Sequence, residues 1–353
     1  MQTYKKMSLT IILSGTFSIF VERISKQTLP NNQKLPHMKR YFFILLTALI
    51  ASAPLFAQDN LESPKQFRRE NSKAQWSKIT RETMPVPYFV GKPAATLEGF
   101  GFMESLDDKS LWEMDERIIS AFLSAEVPSA MRQLRKVRYR TSVCDTVEIL
   151  KKPHVVEIWI LPEYLSVGKD EDCVRMPMGP IGAQVIADSL NCCLPTTYLV
   201  DRIFDAAEGR LDIFPFRPHG SRNQTALVYH DSNNAIKALY KAYGFHYGQL
   251  ISGLKKDIVL TCYVERNPAY SRNVAIYGWQ FPDGTLEQPL FIRHGNFYAD
   301  YSHGVRLVWH TVTIDGKEYE LRDVMRDEKM YRLVSDEPMP LKYASYSYQE
   351  KWK

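Results

Sequence analysis

The residues best suited to chemistry lie in one short segment, residues 294–304, between two apolar stretches. The segment contains two imidazoles, His294 and His303, the carboxylate of Asp300 and the hydroxyl of Ser302. An imidazole titrates near neutral pH and can accept a proton from a reacting group. We therefore predict that His303 is a general base, that Asp300 orients it, and that His294 completes the catalytic group.

Two other interpretations of residues 294–304 stay open. The same side chains are typical of a hydrogen-bonded structural loop, or of a metal site made by His294, Asp300 and His303. The spacing matches no standard zinc pattern such as H-E-x-x-H, so neither a metal nor a cofactor is predicted. A serine nucleophile is not favoured, because Ser302 lacks the G-x-S-x-G turn of hydrolases.

Polar residues near this segment are predicted to hold a substrate. Lys256 and Asp257 open an apolar strand, and a buried pair of this kind suits an anionic or hydroxylated group. The alternative is a solvated pair at a strand edge, which contributes little energy. The predicted substrate-binding residues are Lys256, Asp257, Tyr301, Tyr277 and Arg306.

Helices are predicted upstream of these residues, where apolar side chains recur at 3.6-residue spacing. Ser110 is expected to cap a helix over 111–123. Three further helices are expected over 183–190, over 196–207 with Gly209 at its end, and over 235–243 with Asp231 or Ser232 as cap and Gly244 at its end.

Strands are predicted around the candidate site, where the apolar period changes to 2. The expected strands are 155–160, 258–263, 274–279, 290–292 and 305–314, and Asp315-Gly316 predicts a type I′ hairpin into 317–321. Residues 131–140 carry five basic side chains and are expected to form a solvated face. The order of elements predicts an α+β fold, with a helical middle third followed by a mostly antiparallel β-sheet.

The N-terminal region predicts export. Lys39-Arg40, an apolar run over 41–50 and Ala57 are typical of a signal peptide cleaved after Ala57. We expect translation to begin at Met38, although an unusually long basic region is the alternative. The predicted organisation is an over-extended start (1–37), a signal peptide (38–57), a polar arm (58–82), a single globular α+β domain (83–345) and a C-terminal tail (346–353).

Composition excludes several classes of protein. Residues 1–57 hold seven Lys/Arg and one Asp/Glu, which leaves 38 basic and 39 acidic residues in the remainder. A nucleic-acid-binding surface is not supported by this balance. No later apolar run is long enough for a membrane span, so none is expected after signal cleavage. The five cysteines contain no C-x-x-C pair, and their pairing and the oligomeric state are not predicted.

Three segments resemble a family of exported bacterial proteins of uncharacterised activity. They are Val-Arg-Met-Pro-Met at 174–178 continuing to the Leu-Pro-Thr at 194–196, Lys-Lys-Asp-Ile-Val at 255–259, and residues 275–307 from Ala-Ile-Tyr-Gly-Trp to Ser-His-Gly-Val-Arg-Leu. The second segment departs from the family pattern at Leu254, where the family has His. If that imidazole is functional in the family, this chain has altered or lost activity. The resemblance implies export but no particular reaction.

The leading hypothesis is a periplasmic or secreted hydrolase-like protein that acts on a glycan or a peptidoglycan-type polymer. A non-catalytic cell-envelope or carbohydrate-binding protein using the same surface is the alternative. A structural envelope protein without a ligand is the third possibility. Convergence of His294, His303, Asp300 and Asp257 in one concave pocket would favour catalysis.

Overall fold

The computed structural model describes residues 74–216 and 220–347. These residues form 14 strands, several of them only two residues long, and seven α-helices. The predicted start, the signal peptide over 38–57, most of the arm and the last six residues lie outside those ranges. The strands are β1 (Ala74–Pro85), β2 (Gln133–Thr141), β3 (Val155–Ile160), β4 (Ser166–Val167), β5 (Val174–Arg175), β6 (Cys192–Cys193), β7 (Gly209–Arg210), β8 (Ile251–Ser252), β9 (Lys256–Ile258), β10 (Asn273–Gln280), β11 (Leu286–Gly295), β12 (His303–Gly304), β13 (Val308–Ile314) and β14 (Lys317–Glu320). The helices are α1 (Gly99–Glu104), α2 (Leu111–Leu123), α3 (Pro180–Ser189), α4 (Thr197–Asp205), α5 (Ala226–Tyr243), α6 (Cys262–Arg266) and α7 (Leu321–Arg326).

The larger sheet has the order β1-β2-β3-β13-β14, with β6 paired to β13, and every pairing is antiparallel. Alternate residues of β3 are buried, namely Val156, Ile158 and Ile160, as expected for a strand with one face against the core. The fold therefore mixes helices with antiparallel-rich strands.

The smaller sheet carries the candidate site. Its order is β11-β10-β9-β12, in which β9 pairs antiparallel with β10 and parallel with β12. The core strand β10 is buried along nearly its whole length. Residues 294–304 connect β11 to β12, so the smaller sheet fixes both ends of the candidate segment.

Several predicted elements are confirmed in detail. Ser110 caps α2 in a reciprocal capping box with Glu113. The turn at Asp315-Gly316 joins β13 to β14, and both residues have positive φ, 50° and 84°, as a type I′ hairpin requires. Gly244 ends α5 in the left-handed conformation.

The start of α5 corrects the sequence prediction. The helix begins at Ala226 and is capped by Thr225, so Asp231 and Ser232 lie inside it. The prediction was wrong because Ser232, a polar residue of the type that caps helices, is instead buried, as is the neighbouring Asn233, and both accept hydrogen bonds from other segments. Ser232 accepts a hydrogen bond from Lys255, and Asn233 accepts one from Arg175.

The basic segment 131–140 is also different from its prediction, because most of it is β2, a central strand of the larger sheet. Leu134, Val137 and Tyr139 are fully buried, whereas Lys136 and Arg138 alternate with Val137 and lie on the opposite face, partly exposed. Lys136 and Arg138 form ion pairs with Glu157 of β3 there. The prediction from the number of basic residues alone therefore missed a strand of the sheet.

Three boundaries move as well. Residues 74–82 of the predicted arm belong to β1, and Tyr346 of the predicted tail is buried, donating a hydrogen bond from its hydroxyl to Val259. The predicted strand over 258–263 ends at Ile258 and is followed by α6. Four of the five cysteines, Cys173, Cys192, Cys193 and Cys262, are buried free thiols. In the described ranges, no helix is both long and apolar enough to cross a membrane.

Candidate functional site

Strand β9 divides the candidate residues between two faces of the smaller sheet. Lys256 is paired with His303 of β12, whereas Asp257 is paired with Gly304 and, on the other side, with Tyr277 of β10. Directly paired residues of a sheet point to the same face, and successive residues alternate. Lys256 and His303 therefore share one face, which we call the histidine face, and Asp257 lies on the opposite one, the aspartate face.

A tight turn places Asp300 beside His303 on the histidine face. The Oδ1 atom of Asp300 accepts hydrogen bonds from the Ser302 amide at 2.8 Å and from the Ser302 hydroxyl at 2.5 Å. Its Oδ2 atom accepts one from the Tyr298 hydroxyl at 3.0 Å. The main-chain oxygen of Asp300 accepts from the His303 amide. The carboxylate thus organises the turn that leads into β12.

The His303 imidazole is fully buried, and neither ring nitrogen has a hydrogen-bond partner among the described residues. Its aromatic neighbour is Tyr298, edge-on with the ring centroids 5.5 Å apart. Tyr298 is in turn stacked on His294, with centroids 3.9 Å apart. Buried polar groups are normally paired, so an unpaired imidazole in an otherwise bonded turn requires an explanation.

Burial controls the protonation of this group. Loss of solvation lowers the pKa of His303 to about 4, and nearby Asp300 offsets only part of that effect. Burial alone would raise the pKa of Asp300, but charge interactions with His303 and Lys256 and the hydrogen bonds from Ser302 lower it to about 2. The imidazole is neutral at pH 7, so there Lys256 and Ser302 keep the carboxylate ionised.

Lys256 completes the histidine face. Its Nζ atom lies 5.2 Å from the centroid of the Trp279 ring, a cation–π contact. Burial lowers the pKa of Lys256, and Asp300 acts in the opposite direction. The face therefore combines a neutral base, an ionised carboxylate and a half-buried ammonium group.

On the aspartate face, Asp257 is buried and accepts a hydrogen bond on Oδ2 from the Tyr164 hydroxyl at 2.9 Å. Burial raises the pKa of Asp257 to about 7. Lys255, also buried, donates from Nζ to the Ser232 hydroxyl at 3.2 Å and to the main-chain oxygen of Tyr301. Burial, together with the charge of Arg175, lowers the pKa of Lys255 to about 7.

The structure brings together only some of the predicted site residues. His294, Asp300, His303 and Lys256 converge, and Tyr301 is adjacent. Three others do not join them, for different reasons. Asp257 faces away across β9, the Tyr277 hydroxyl donates to Asp201 at 2.7 Å, and the Arg306 guanidinium donates to the main-chain oxygens of Leu161, Pro162 and Ile251. Arg306 therefore directs three of its hydrogen bonds to the main chain of two distant segments.

The predicted orienting role of Asp300 also changes in detail. Asp300 bonds to Ser302 and Tyr298 rather than to the His303 ring, so it acts on the imidazole through its charge and through the turn. The described residues contain no group of three or more His, Cys, Asp or Glu side chains placed to hold a metal ion. The metal interpretation of residues 294–304 therefore has no geometric support.

Three residues near the site were not singled out from the sequence, namely Tyr164, Lys255 and Trp279. The sequence could have indicated Lys255, because residues two apart on a strand lie on the same face, and Lys255 is two residues before Asp257. Trp279 has a positive φ of 51° and follows Gly278 at 98° inside β10, where the pairing with β11 is irregular. A bulky residue in that conformation is rare and is found where the surrounding fold enforces it.

Aromatic rings lead from the surface to this region. The exposed Phe214 contacts Phe216, Phe216 stacks on Tyr301 with centroids 4.8 Å apart, and Tyr301 contacts Trp279 edge-on. We call these four residues the aromatic row. A small cavity beside the row is lined by Phe214 and Trp279 together with Asp212, Ser232 and Ser302. The row thus connects solvent with the turn that carries His303.

No family model, curated protein or solved structure matches the chain. The resemblance of the three sequence segments to an exported family stays a prediction.

Proposed function

We propose that the protein is an exported hydrolase-like protein that acts on a glycan or peptidoglycan-type polymer, with His303 as its general base. The observation that carries the proposal is the buried imidazole of His303, unbonded at both nitrogens and set beside the ionised carboxylate of Asp300.

The protonation states leave His303 free to accept a proton at neutral pH. A base must be uncharged to accept a proton, and His303 is uncharged at all pH values well above 4. The fixed negative charge of Asp300 stabilises the imidazolium that forms when the proton arrives. Lys256, on the same face, is a cation available to a developing negative charge.

The aromatic row supports the polymer class. Flat apolar faces with polar side chains beside them suit sugar rings, which present C–H groups on one face and hydroxyls at the edge. The exposed Phe214 supplies such a face, and Asp212 beside it supplies polar atoms at the same small cavity. Export, predicted from residues 38–57, would place the protein where cell-envelope polymers are found.

The test is incubation of the purified protein with peptidoglycan and with common polysaccharides, followed by mass spectrometry of the products. We expect released fragments, and we expect His303→Asn to reduce their rate of formation by about two to four orders of magnitude. His310→Asn is the matched control, because His310 lies on β13 and its Nδ1 bonds to Glu320. Equal turnover by both variants would refute the assignment of the base.

The second candidate is a carbohydrate-binding protein without catalysis, favoured by the same aromatic row. It predicts saccharide binding without any product, and binding that does not depend on His303. Export itself is tested by the N-terminus of the protein from its native host, which should lie near Gln58.

A further inference from the structure

The hydroxyl of Ser232 has an unusual partner for a serine inside a helix. Serine hydroxyls in helices can bond to the main-chain oxygen four residues earlier, as Ser189 of α3 does with Val185 at 2.8 Å. Ser232 lies inside α5, and its side-chain hydrogen bond within the described ranges is with the Nζ atom of Lys255 at 3.2 Å. The helix therefore leaves the hydroxyl proton of Ser232 available to that nitrogen.

The amine of Lys255 is held in place beside this hydroxyl. Both side chains are buried, since Lys255 is 1% exposed and Ser232 is 7% exposed. The Nζ atom of Lys255 also donates to the main-chain oxygen of Tyr301, and no carboxylate accepts a hydrogen bond from it within the described ranges. A buried ammonium group without a paired carboxylate is costly, so this environment favours the neutral amine.

The charges around Lys255 agree with a neutral amine near neutral pH. Burial and the charge of Arg175 lower the pKa of Lys255 to about 7, although the charges of Asp300 and Glu163 act in the opposite direction. A neutral amine has two N–H donors and one lone pair. With one N–H on the oxygen of Tyr301, the lone pair can accept the hydroxyl proton of Ser232, and the bond at 3.2 Å then runs from the serine to the lysine.

Ser232 also lines the small cavity beside the aromatic row. Two exposed residues, Asp212 and Phe214, line the same cavity, so it lies at the surface of the protein. Its apolar lining consists of Phe214, Ile236, Leu239, Leu254 and Trp279. The free volume is about 10 Å³, which is room for one small group, so an acyl group bound there is limited to about the size of acetyl.

We infer that Ser232 and Lys255 form a Ser–Lys dyad that hydrolyses esters of small carboxylic acids, with Ser232 as the nucleophile and Lys255 as its general base. The arrangement has the parts that such a centre needs, namely a hydroxyl at a cavity, a base within hydrogen-bond distance and a third group, the oxygen of Tyr301, that holds the base. The inference goes beyond the proposed function, because His303 takes no part in it.

The reaction has two steps that use the same proton route. The Oγ atom of Ser232 attacks the carbonyl carbon of the ester, and its proton passes to the amine of Lys255. The ester bond breaks, and the alcohol leaves with the proton that Lys255 returns. Water then attacks the acyl-serine and gives a proton to Lys255, which passes it to the departing Oγ atom, so the carboxylic acid is released and Ser232 is restored.

The experiment uses methanesulfonyl fluoride, which transfers a group of acetyl size to an activated serine and releases fluoride. Mass spectrometry of the whole chain and of its peptides gives the extent and the position of labelling. We expect one label, on Ser232, and a labelling rate that rises with pH through about 7 as Lys255 loses its proton. Lys255→Met should slow labelling by about two to four orders of magnitude, and Ser232→Ala should abolish it.

Two matched variants serve as controls. Ser189→Ala removes an exposed serine of α3, and Lys241→Met removes an exposed lysine of α5. Both should be labelled at the rate of the unaltered protein. In the same series, p-nitrophenyl acetate should be hydrolysed faster than p-nitrophenyl octanoate, because the cavity admits only a small acyl group.

An unlabelled protein, a label on Ser302 or another residue, or a rate that survives in a folded Lys255→Met variant would overturn the inference. If that variant does not fold, the unaltered protein decides the question, since a labelling rate that does not rise through about pH 7 would exclude Lys255 as the base. The proposed polymer hydrolysis is judged separately, by its products and by His303→Asn. Polymer products without a label on Ser232 would leave the proposed function standing and refute the dyad.

Discussion

Replacing His303 by leucine tests whether the imidazole is buried, neutral and unbonded. At pH 7 we expect the free energy of unfolding to be unchanged or higher, because a buried polar group without a partner costs about 1–3 kcal/mol and leucine fills a similar volume. His154→Leu is the matched control. His154 is also buried, but its Nδ1 bonds to Asp315 and its Nε2 to the main-chain oxygen of Ile149. That variant should lose about 1–3 kcal/mol.

The pH dependence gives a sharper test of the same residue. The folded pKa of His303 is about 4, below the ordinary 6.5, so the unfolded chain takes up a proton that the folded chain does not. The wild type therefore loses stability as the pH falls from about 6.5 towards 4. The linkage relation gives a loss of about 2 kcal/mol between pH 7 and pH 5, and His303→Leu is spared it.

Urea unfolding of the wild type and of His303→Leu at pH 7, 6 and 5 measures this difference. Asp257 and Lys255, with folded pKa values of about 7, titrate in both proteins, so their contributions cancel in the comparison. Asp300 titrates below the window. The variant should gain about 2 kcal/mol relative to wild type by pH 5. A difference that stays constant with pH would show that His303 is solvated or bonded, and the reasoning would fail.

Three further predictions concern activity and stability. If His303 is the base, kcat/KM should fall as the pH drops through about 4 rather than through 6.5, and a limb near 6.5 in the pH–rate profile would contradict this. Glu163→Ala should reduce the free energy of unfolding by about 3–5 kcal/mol, because the buried Arg175 guanidinium, which bonds to Glu163 at 2.6 and 3.1 Å, would lose its carboxylate partner. Thermal denaturation measures this loss, and a loss below about 1 kcal/mol would argue against a buried ion pair. Gly316→Ala should reduce the free energy of unfolding by about 1 kcal/mol from backbone strain alone, since φ is 84° and no atom lies near the added methyl group. Gly101→Ala is the control: it lies inside α1 with equally open space around the added methyl group, and it should not reduce the stability.

The elements that the sequence predicted well are those whose signal is local. The cap at Ser110 and the turn at Asp315-Gly316 depend on a few neighbouring residues, so a short stretch of sequence contains their cause. The predicted start of α5 was wrong because the Ser232 hydroxyl bonds to Lys255, 23 residues away in the chain, and does not cap the helix. Segment 131–140 looked solvated because the acidic partners of its basic residues lie on other strands.

The candidate site shows the same division. His294, Asp300 and His303 were found because they are close in the chain, and the turn keeps them close in space. The sequence predicted that the strand beginning at Lys256 lies near residues 294–304, but the separation of Lys256 from Asp257 follows only from the alternation within β9, and the parallel register with β12 has no local signal. Nothing near Arg306 in the sequence reveals that its donors are used by carbonyl oxygens from two distant segments.

The three residues Lys255, Lys256 and Asp257 have a consequence for how this protein can change over evolutionary time. One short strand supplies side chains to both faces, and its pairing with β12 consists of two residue pairs. Deleting or inserting one residue before β9 would turn every side chain of the strand to the opposite face, so Asp257 would move to the histidine face and Lys256 to the aspartate face. Substitutions can adjust either face separately, but a change in length alters both at once. Lineages that diverge from this sequence should therefore vary in length elsewhere and keep the spacing between Gly253 and Ile258 constant.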